Sequence, residues 1–393
     1  MLAATLLLAG AALTQTQPAV DDADRYIVVL EAGVDNPSQI ASGIEQRQDL
    51  DVGFVYSEAL EGFSATIPDE DLAAVRADPR VDYVERDTAV HPVGQTLPWG
   101  INKIGADISS TLAGNGSGFV SDVNAYIIDT GIYRGPTSRK KKWRDLYVVN
   151  HINFSGGKNT DCGEGHGTHV AGVVAAKDNT RAVVGVAPGA PLTGVKVLGC
   201  TGGFVSNVIK GIDWVTANAE KPAIANLSLS GEANQALDDA VRESADSGVF
   251  YSVAAGNEGD RACAYSPARA GRTWDEVNGR WIYNNGVATT AAVNDFREET
   301  RWSNFGDCVD LWAPGVDILS TKNKGGLSTM SGTSMAAPHV GGTAALYLSN
   351  PDNAGATPAA VEGILKADAV RVQSDAKLSK DDTRIKIVYA GDY

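Results

Sequence analysis

Hydrophobic and polar positions divide the chain into two stretches with different patterns. Between residues 25 and 90 the apolar runs are short. "RYIVVLE" predicts a strand, "PSQIASGIEQRQDL" a helix, and "DVGFVYSEAL" and "GFSATIP" two further strands. "DEDLAAVRADP" then predicts a helix and "RVDYVERD" a last strand. That order, βαββαβ, is the split motif of a small ferredoxin-like α+β unit. "AVHPVGQTLPWG" holds two prolines, two glycines and no period, and reads as a linker. Beyond it, apolar runs such as "VNAYIID", "TGVKVLG", "AIANLSLS" and "GVFYSVAAG" are strand candidates. The patterns "FVSNVIKGIDWVTANAE" and "ANQALDDAVRESADS" are helical. Continuous apolar strands alternating with helices predict an α/β unit whose mostly parallel sheet is covered on both faces. Functional groups of such sheets gather at the carboxyl ends of the strands.

Charge sharpens the division. The 393 residues are 43% hydrophobic and 21% charged, a globular composition with ample core. A formal charge of −15 argues against nucleic acid or an anionic membrane surface as partner. Residues 21–92 hold 17 acidic against 5 basic side chains, so most of the acidity belongs to the first unit. The opening "MLAATLLLAGAALTQTQPA" is too short to span a bilayer and reads as a secretory signal peptide over residues 1–19. Four cysteines in a secreted chain allow two disulfides in three connectivities. The basic run Arg139–Lys142 reads as a solvated loop.

Candidate chemistry begins at "STMSGTSMAAPHVGG". Ser334 there is either the N-terminal cap of a buried helix or a nucleophile, and the stretch alone favours the cap. The chain has five histidines. His339 shares the presumed helix of Ser334 and is poorly placed as its base. His166, in "DCGEGHGTHVAG", opens a second apolar helix between glycines. A metal pair of His166 with His169 lacks the glutamate and third ligand of a zinc helix. Asp129 closes the strand "NAYIIDTG", where a carboxylate can orient an imidazole; alone it would read as a turn. Asn257, in "SVAAGNEG", ends another strand and can donate to an oxyanion beside the Ser334 N–H. "GTSMA" nearly matches the nucleophile elbow of α/β-hydrolases, but those place acid and histidine after the serine.

The order Asp129, His166, Ser334 is the subtilisin order. With "YIIDTGI", "GHGTHVAG", "AAGN" and "GTSMAAPHVGG" in sequence, residues 99 to 393 resemble a subtilisin-family serine protease, nearest its proteinase K-like branch. The resemblance implies a three-layer subtilisin-like fold over residues 93–393. It also implies a Ser334 nucleophile, a His166 base, an Asp129 orienting acid and an Asn257 oxyanion donor. Substrate peptide would pair as an added strand with Ser228, Leu229 and Ser230 on one side and Gly202 and Gly203 on the other. The family usually has glycine where Ser230 stands. Residues 20–92 resemble the inhibitory propeptide of these enzymes, with cleavage expected between His91 and Leu97.

The same resemblance implies a secreted, extracellular, monomeric endopeptidase acting on proteins and peptides, with apolar P1 preference and no cofactor for catalysis. It pairs Cys162 with Cys200 and Cys263 with Cys308. It makes Asp310 a calcium ligand, with partner carbonyls just after "YSPAR". The extra "AGRTWDEVNGRWIYNN" there leaves structural calcium open. Of the sequons at Asn115, Asn153 and Asn226, the last lies in the substrate-pairing strand and is expected to stay unmodified. A catalytically silent binding protein on this fold is the alternative, and it would need a broken triad.

Overall fold

The structure, a computed structural model, describes residues 25–48, 50–87, 95–134, 145–158, 160–275, 279–282, 284–371 and 378–393. The signal segment 1–19, the run Arg139–Lys142 and residues 91–94 of the expected cleavage stretch lie outside them. The chain forms two compact units that divide between Pro92 and Val93.

The first unit has the expected order: β1 (Arg25–Leu30), α1 (Pro37–Glu45), β2 (Asp51–Tyr56), β3 (Gly62–Thr66), α2 (Asp69–Arg76) and β4 (Val81–Arg86). Its sheet runs β2-β3-β1-β4, with every pairing antiparallel. Tyr26, Val28 and Leu30, alternating along β1, turn to one face and pack with Ala41, Ile44, Phe63 and Val75. Asn36 caps α1 by accepting from the Gln39 N–H, and Pro37 supplies a pre-set first turn. The core is small, so this unit is only modestly stable.

In the second unit a nine-stranded sheet is sandwiched between helices. Its principal elements are β5 (Asn124–Asp129), β6 (Val148–Asn153), α3 (His166–Ala175), β7 (Leu192–Lys196), α4 (Val205–Asn218), β8 (Ala223–Leu227) and α5 (Gln235–Asp246). They continue through β9 (Val249–Ala254), β10 (Val287–Val293), β11 (Leu311–Pro314), α6 (Thr333–Ser349), α7 (Pro358–Asp368), β12 (Val370–Arg371) and β13 (Lys386–Ile387). Strand order is β12-β13-β11-β10-β9-β8-β5-β7-β6, parallel except between β12 and β13. Successive side chains serve opposite faces. Ile127, Ile224 and Phe250 pack with Val170 of α3 and Val340 of α6. Their neighbours Tyr126, Ile128, Ala225 and Tyr251 pack with Ile212 of α4 and Val241 of α5. Helix α6 is buried on nearly all sides, as its unbroken apolar run requires. The insertion after "YSPAR" pairs Thr273–Asp275 with Arg280–Ile282 as a hairpin.

Candidate active site

Asp129 ends β5, and its carboxylate is fully buried. Its oxygens lie 2.8 and 3.0 Å from His166 Nδ1, and Oδ1 also accepts the Thr130 N–H at 2.6 Å. An ionised carboxylate only accepts, so Nδ1 carries the proton and Nε2 of the neutral ring keeps its lone pair outward. His166 is the first residue of α3. Close approach requires glycine beside it: a methyl on Gly167 would lie 2.3 Å from the Gly131 carbonyl. Burial works against the imidazolium, but the Asp129 charge and hydrogen bond, and then the Asp161 charge, outweigh it. The His166 pKa stands above its usual 6.5.

Ser334 is the second residue of α6, where backbone N–H groups have no acceptor within the helix. Its hydroxyl donates to the Ser228 carbonyl at 3.2 Å rather than to His166. Catalytic hydrogen bonds are often loose before substrate arrives. Four residues on, Pro338 has no N–H to offer the Ser334 carbonyl. Ser228 Oγ takes that place at 2.7 Å. Behind it Asn226 Nδ2 donates to Ser228 Oγ at 2.8 Å, and Ser252 Oγ donates to Asn226 Oδ1 at 2.9 Å. Asn226 is wholly buried, so its sequon is spent on this network.

The Asn257 amide has a determined orientation. The Thr333 N–H and hydroxyl donate to Oδ1 at 2.8 and 3.0 Å. A backbone N–H can face only oxygen, so Nδ2 points the other way as a donor. A methyl placed on Gly332 would sit 3.6 Å from Ser334 N and 3.7 Å from both Nδ2 and Oδ1 of Asn257, so the Asn257 amide and the Ser334 N–H border one small space. Leu229 and Ser230 follow β8, with Ser230 exposed. Gly202 and Gly203 are exposed, and Gly202 bridges to Gly199 through a 2.9 Å hydrogen bond. Cys162 is bonded to Cys200, and Cys263 to Cys308.

The contacts of Asp310 do not fit the calcium reading. Lys366 Nζ lies 2.7 Å from its Oδ1 and 3.1 Å from Glu362 Oε1. The Thr289 N–H donates to Asp310 Oδ2 at 2.9 Å. The Ala268 carbonyl accepts from Thr289 Oγ1 at 2.7 Å, and that of Ala270 from Asn285 Nδ2 at 2.8 Å. A methyl on Gly271 would come within 2.9 Å of Asp310 Oδ2, so backbone already covers that oxygen. Calcium needs six to eight oxygens, and here an ammonium and protein N–H and O–H groups engage them. Lys366 gave no signal in the sequence, since it lies 56 residues beyond Asp310 on a separate helix.

Two other histidines are structural. His169 Nε2 lies 2.9 Å from the Ile318 carbonyl, and His339 Nδ1 lies 2.8 Å from that of Met335. The second nitrogen of each ring has no partner among the described residues. Burial pushes both pKa values down to about 4. Unfolded rings take a proton near 6.5, so their stabilising contribution is complete above that pH and is lost as pH falls toward 4. Each contributes about 1.4 kcal/mol per pH unit over that window. Urea unfolding of the inactive Ser334→Ala protein should therefore show much lower stability at pH 4.5 than at pH 7. A flat profile would contradict this account.

The family pattern of subtilases matches residues 120–384, and that of the I9 peptidase inhibitors matches residues 25–92. The chain is 38% identical over 376 residues to alkaline serine exoprotease A of Vibrio alginolyticus, covering 88% of this chain and 64% of that protein. It is 39% identical over 335 residues to an extracellular serine proteinase of Thermus sp. (strain Rt41A), covering 81% and 74%. A crystal structure of a cold-adapted subtilisin-like serine proteinase is similar, with a TM-score of 0.59, 37% identity, and 74% of this chain and 97% of that one covered. An aspartate, histidine and serine at strand and helix ends of a parallel sheet, in a chain whose residues 25–92 match an inhibitor family, are thus joined by sequence and fold to one group of enzymes: the chain belongs to the subtilase family of serine proteases.

Proposed function

We propose that the protein is a secreted serine endopeptidase, made as a precursor that cuts itself and is held in check by residues 25–92. The observation that carries this reading is the buried Asp129 carboxylate on His166 Nδ1, which leaves Nε2 unprotonated and able to act as a base. Ser334 turns from the Ser228 carbonyl to His166 Nε2 and gives up its proton as Oγ attacks the scissile carbonyl. The Ser334 N–H and Asn257 Nδ2 receive the oxyanion, where one such donor is worth about 10²–10³ in turnover, a figure that comes from subtilisin itself. His166 then protonates the leaving amine, and water repeats the sequence in reverse to release the acyl group.

Substrate peptide pairs between Ser228–Ser230 and Gly202–Gly203. Register set by backbone explains tolerance of many sequences. Lys366 serves as the built-in cation at Asp310, with no divalent ion there. The Thermus relative's description and the opening segment support an extracellular location. Among the described residues no helix is long and apolar enough to cross a membrane.

The test is labelling by a serine-directed phosphonofluoridate, which should modify wild-type protein and leave Ser334→Ala unmodified. Equal labelling of both would remove the reading. Because the base works only when neutral, the acid limb of kcat/KM should fall above pH 6.5, in line with the raised His166 pKa. A pH–rate profile with its midpoint well below 6.5 would contradict it. Added 25–92 should slow the mature enzyme in a peptide assay.

A further inference from the structure

Asp161 lies in the loop before α3, only 4% exposed, and the catalytic scheme above gives it no part. Its carboxylate accepts four hydrogen bonds. Oδ1 receives the Thr130 hydroxyl and the Cys162 N–H, both at 2.7 Å. Oδ2 receives the Thr168 N–H at 2.8 Å and, at close range, the Thr168 hydroxyl.

The two hydroxyls are not free to turn round. Thr130 Oγ1 already accepts the Gly167 N–H at 2.9 Å, and Thr168 Oγ1 accepts the Tyr133 N–H at 2.9 Å. Each must therefore present its proton to Asp161. Four donors converge on one side chain that offers acceptors only when ionised. An amide at position 161 would turn an NH₂ group toward at least one N–H donor. Burial raises the Asp161 pKa above the usual carboxylate value, and the four donors oppose that shift by favouring the charged form.

Its partners explain what the charge does. Thr130 follows Asp129 and donates its N–H to the Asp129 carboxylate. Thr168 stands two residues after His166 on the first turn of α3. Asp161 thus ties the strand end bearing the acid to the helix turn bearing the base. The buried Lys196 ammonium donates to the Thr130 and Leu198 carbonyls, so a cation sits in the same neighbourhood.

We infer that Asp161 is a positioning residue of the triad: it locks Thr130 and Thr168, and through them Asp129 and His166, and its charge supports the imidazolium formed during attack. This rests on the proposed roles of Asp129, His166 and Ser334. Besides Asp161, the charge acting on His166 is Asp129 from β5; His169 of the same helix feels the His166 charge, and the Lys196 ammonium from β7 feels Asp129 and Asp161. The first turn of α6 brings no acidic side chain.

The experiment compares wild type, Asp161→Asn, Thr168→Val and Ser334→Ala, with active sites titrated and kcat, KM and the acid midpoint of kcat/KM recorded. Asp161→Asn should lose about tenfold in kcat, which is about 1.4 kcal/mol of transition-state stabilisation, with little change in KM. Its acid midpoint should move down by about half a pH unit, because a charge near the imidazolium is gone. Thr168→Val keeps the charge and loosens the tie, so it should slow kcat while leaving the midpoint in place. A folded Asp161→Asn with wild-type kcat and midpoint overturns the inference. So does a lowered melting temperature with unchanged kinetics, which marks a merely structural role. If Asp161→Asn does not fold, Thr168→Val decides: unchanged kcat there overturns the inference. Failure of the underlying site reading looks different, since Ser334→Ala would then remain active.

Discussion

Ser334→Ala protein should neither hydrolyse peptide nor cut itself, and it should accumulate as the full precursor with residues 25–92 still attached. The expected fall in kcat is on the order of 10⁶, the loss known when the serine of a subtilisin is removed. The size follows from the geometry. Without Oγ there is no nucleophile for His166 to activate, and the two proposed oxyanion donors beside Gly332 can only polarise a carbonyl that nothing but water attacks. Fold should be unaffected, because the Oγ hydrogen bond to the Ser228 carbonyl is part-exposed, while the packing of α6 and the Ser228 bond to the Ser334 carbonyl remain. Mass spectrometry of the purified chain is the check. Mature-length Ser334→Ala protein, made without added protease, would show that cleavage does not use this serine.

Lys366→Met should be the most damaging single change to stability, at about 3–5 kcal/mol. It leaves Asp310 and Glu362 buried side by side without their shared cation. Burial, and then the Asp310 charge, already push the Glu362 carboxyl well above its usual range. Removing the ammonium forces protonation or exposure. Adding Asp310→Asn to Lys366→Met should recover part of the loss, since one of the stranded charges is then gone. A chelator should leave the melting temperature of the wild-type protein unchanged at this locus. If chelation lowered it and Lys366→Met did not, the cation would be a metal after all.

β1 and β3 of the first unit and the four named strands of the second were legible because their apolar spacing matches their burial, whereas Phe54 and Val55 of β2 are exposed. β10 was not legible: "VATTAAV" is built of small residues with two threonines, yet all its residues are buried under α6 and α7. The residues proposed for catalysis were legible for another reason. Nucleophile, base, acid and donor each need one residue type, and their order along the chain excludes other folds. Asp161 lacked any such mark, since an aspartate beside cysteine and glycine reads as a turn. Its meaning lies in four donors brought together from positions 130, 162 and 168. Asp310 was read by resemblance with calcium left open, and its contact with Lys366 could not be foreseen: that side chain comes from a helix whose period says nothing of what its lysine reaches.

Asn226 and Ser228 also bear on where the gene can be expressed. Oligosaccharide is attached to extended chains during translocation, and "NLS" is an acceptor until it folds. A glycan on Asn226 could not be enclosed, because the side chain is fully buried and its amide is committed on both sides. Nor can the sequon be erased harmlessly. Asn226 and Ser228 form the hydrogen-bonded chain to the Ser334 carbonyl, and Leu227 between them pairs in the middle of the sheet, where proline would break the ladder. In a glycosylating host the yield of active enzyme is therefore a race between modification and strand closure, and hosts without that pathway avoid it.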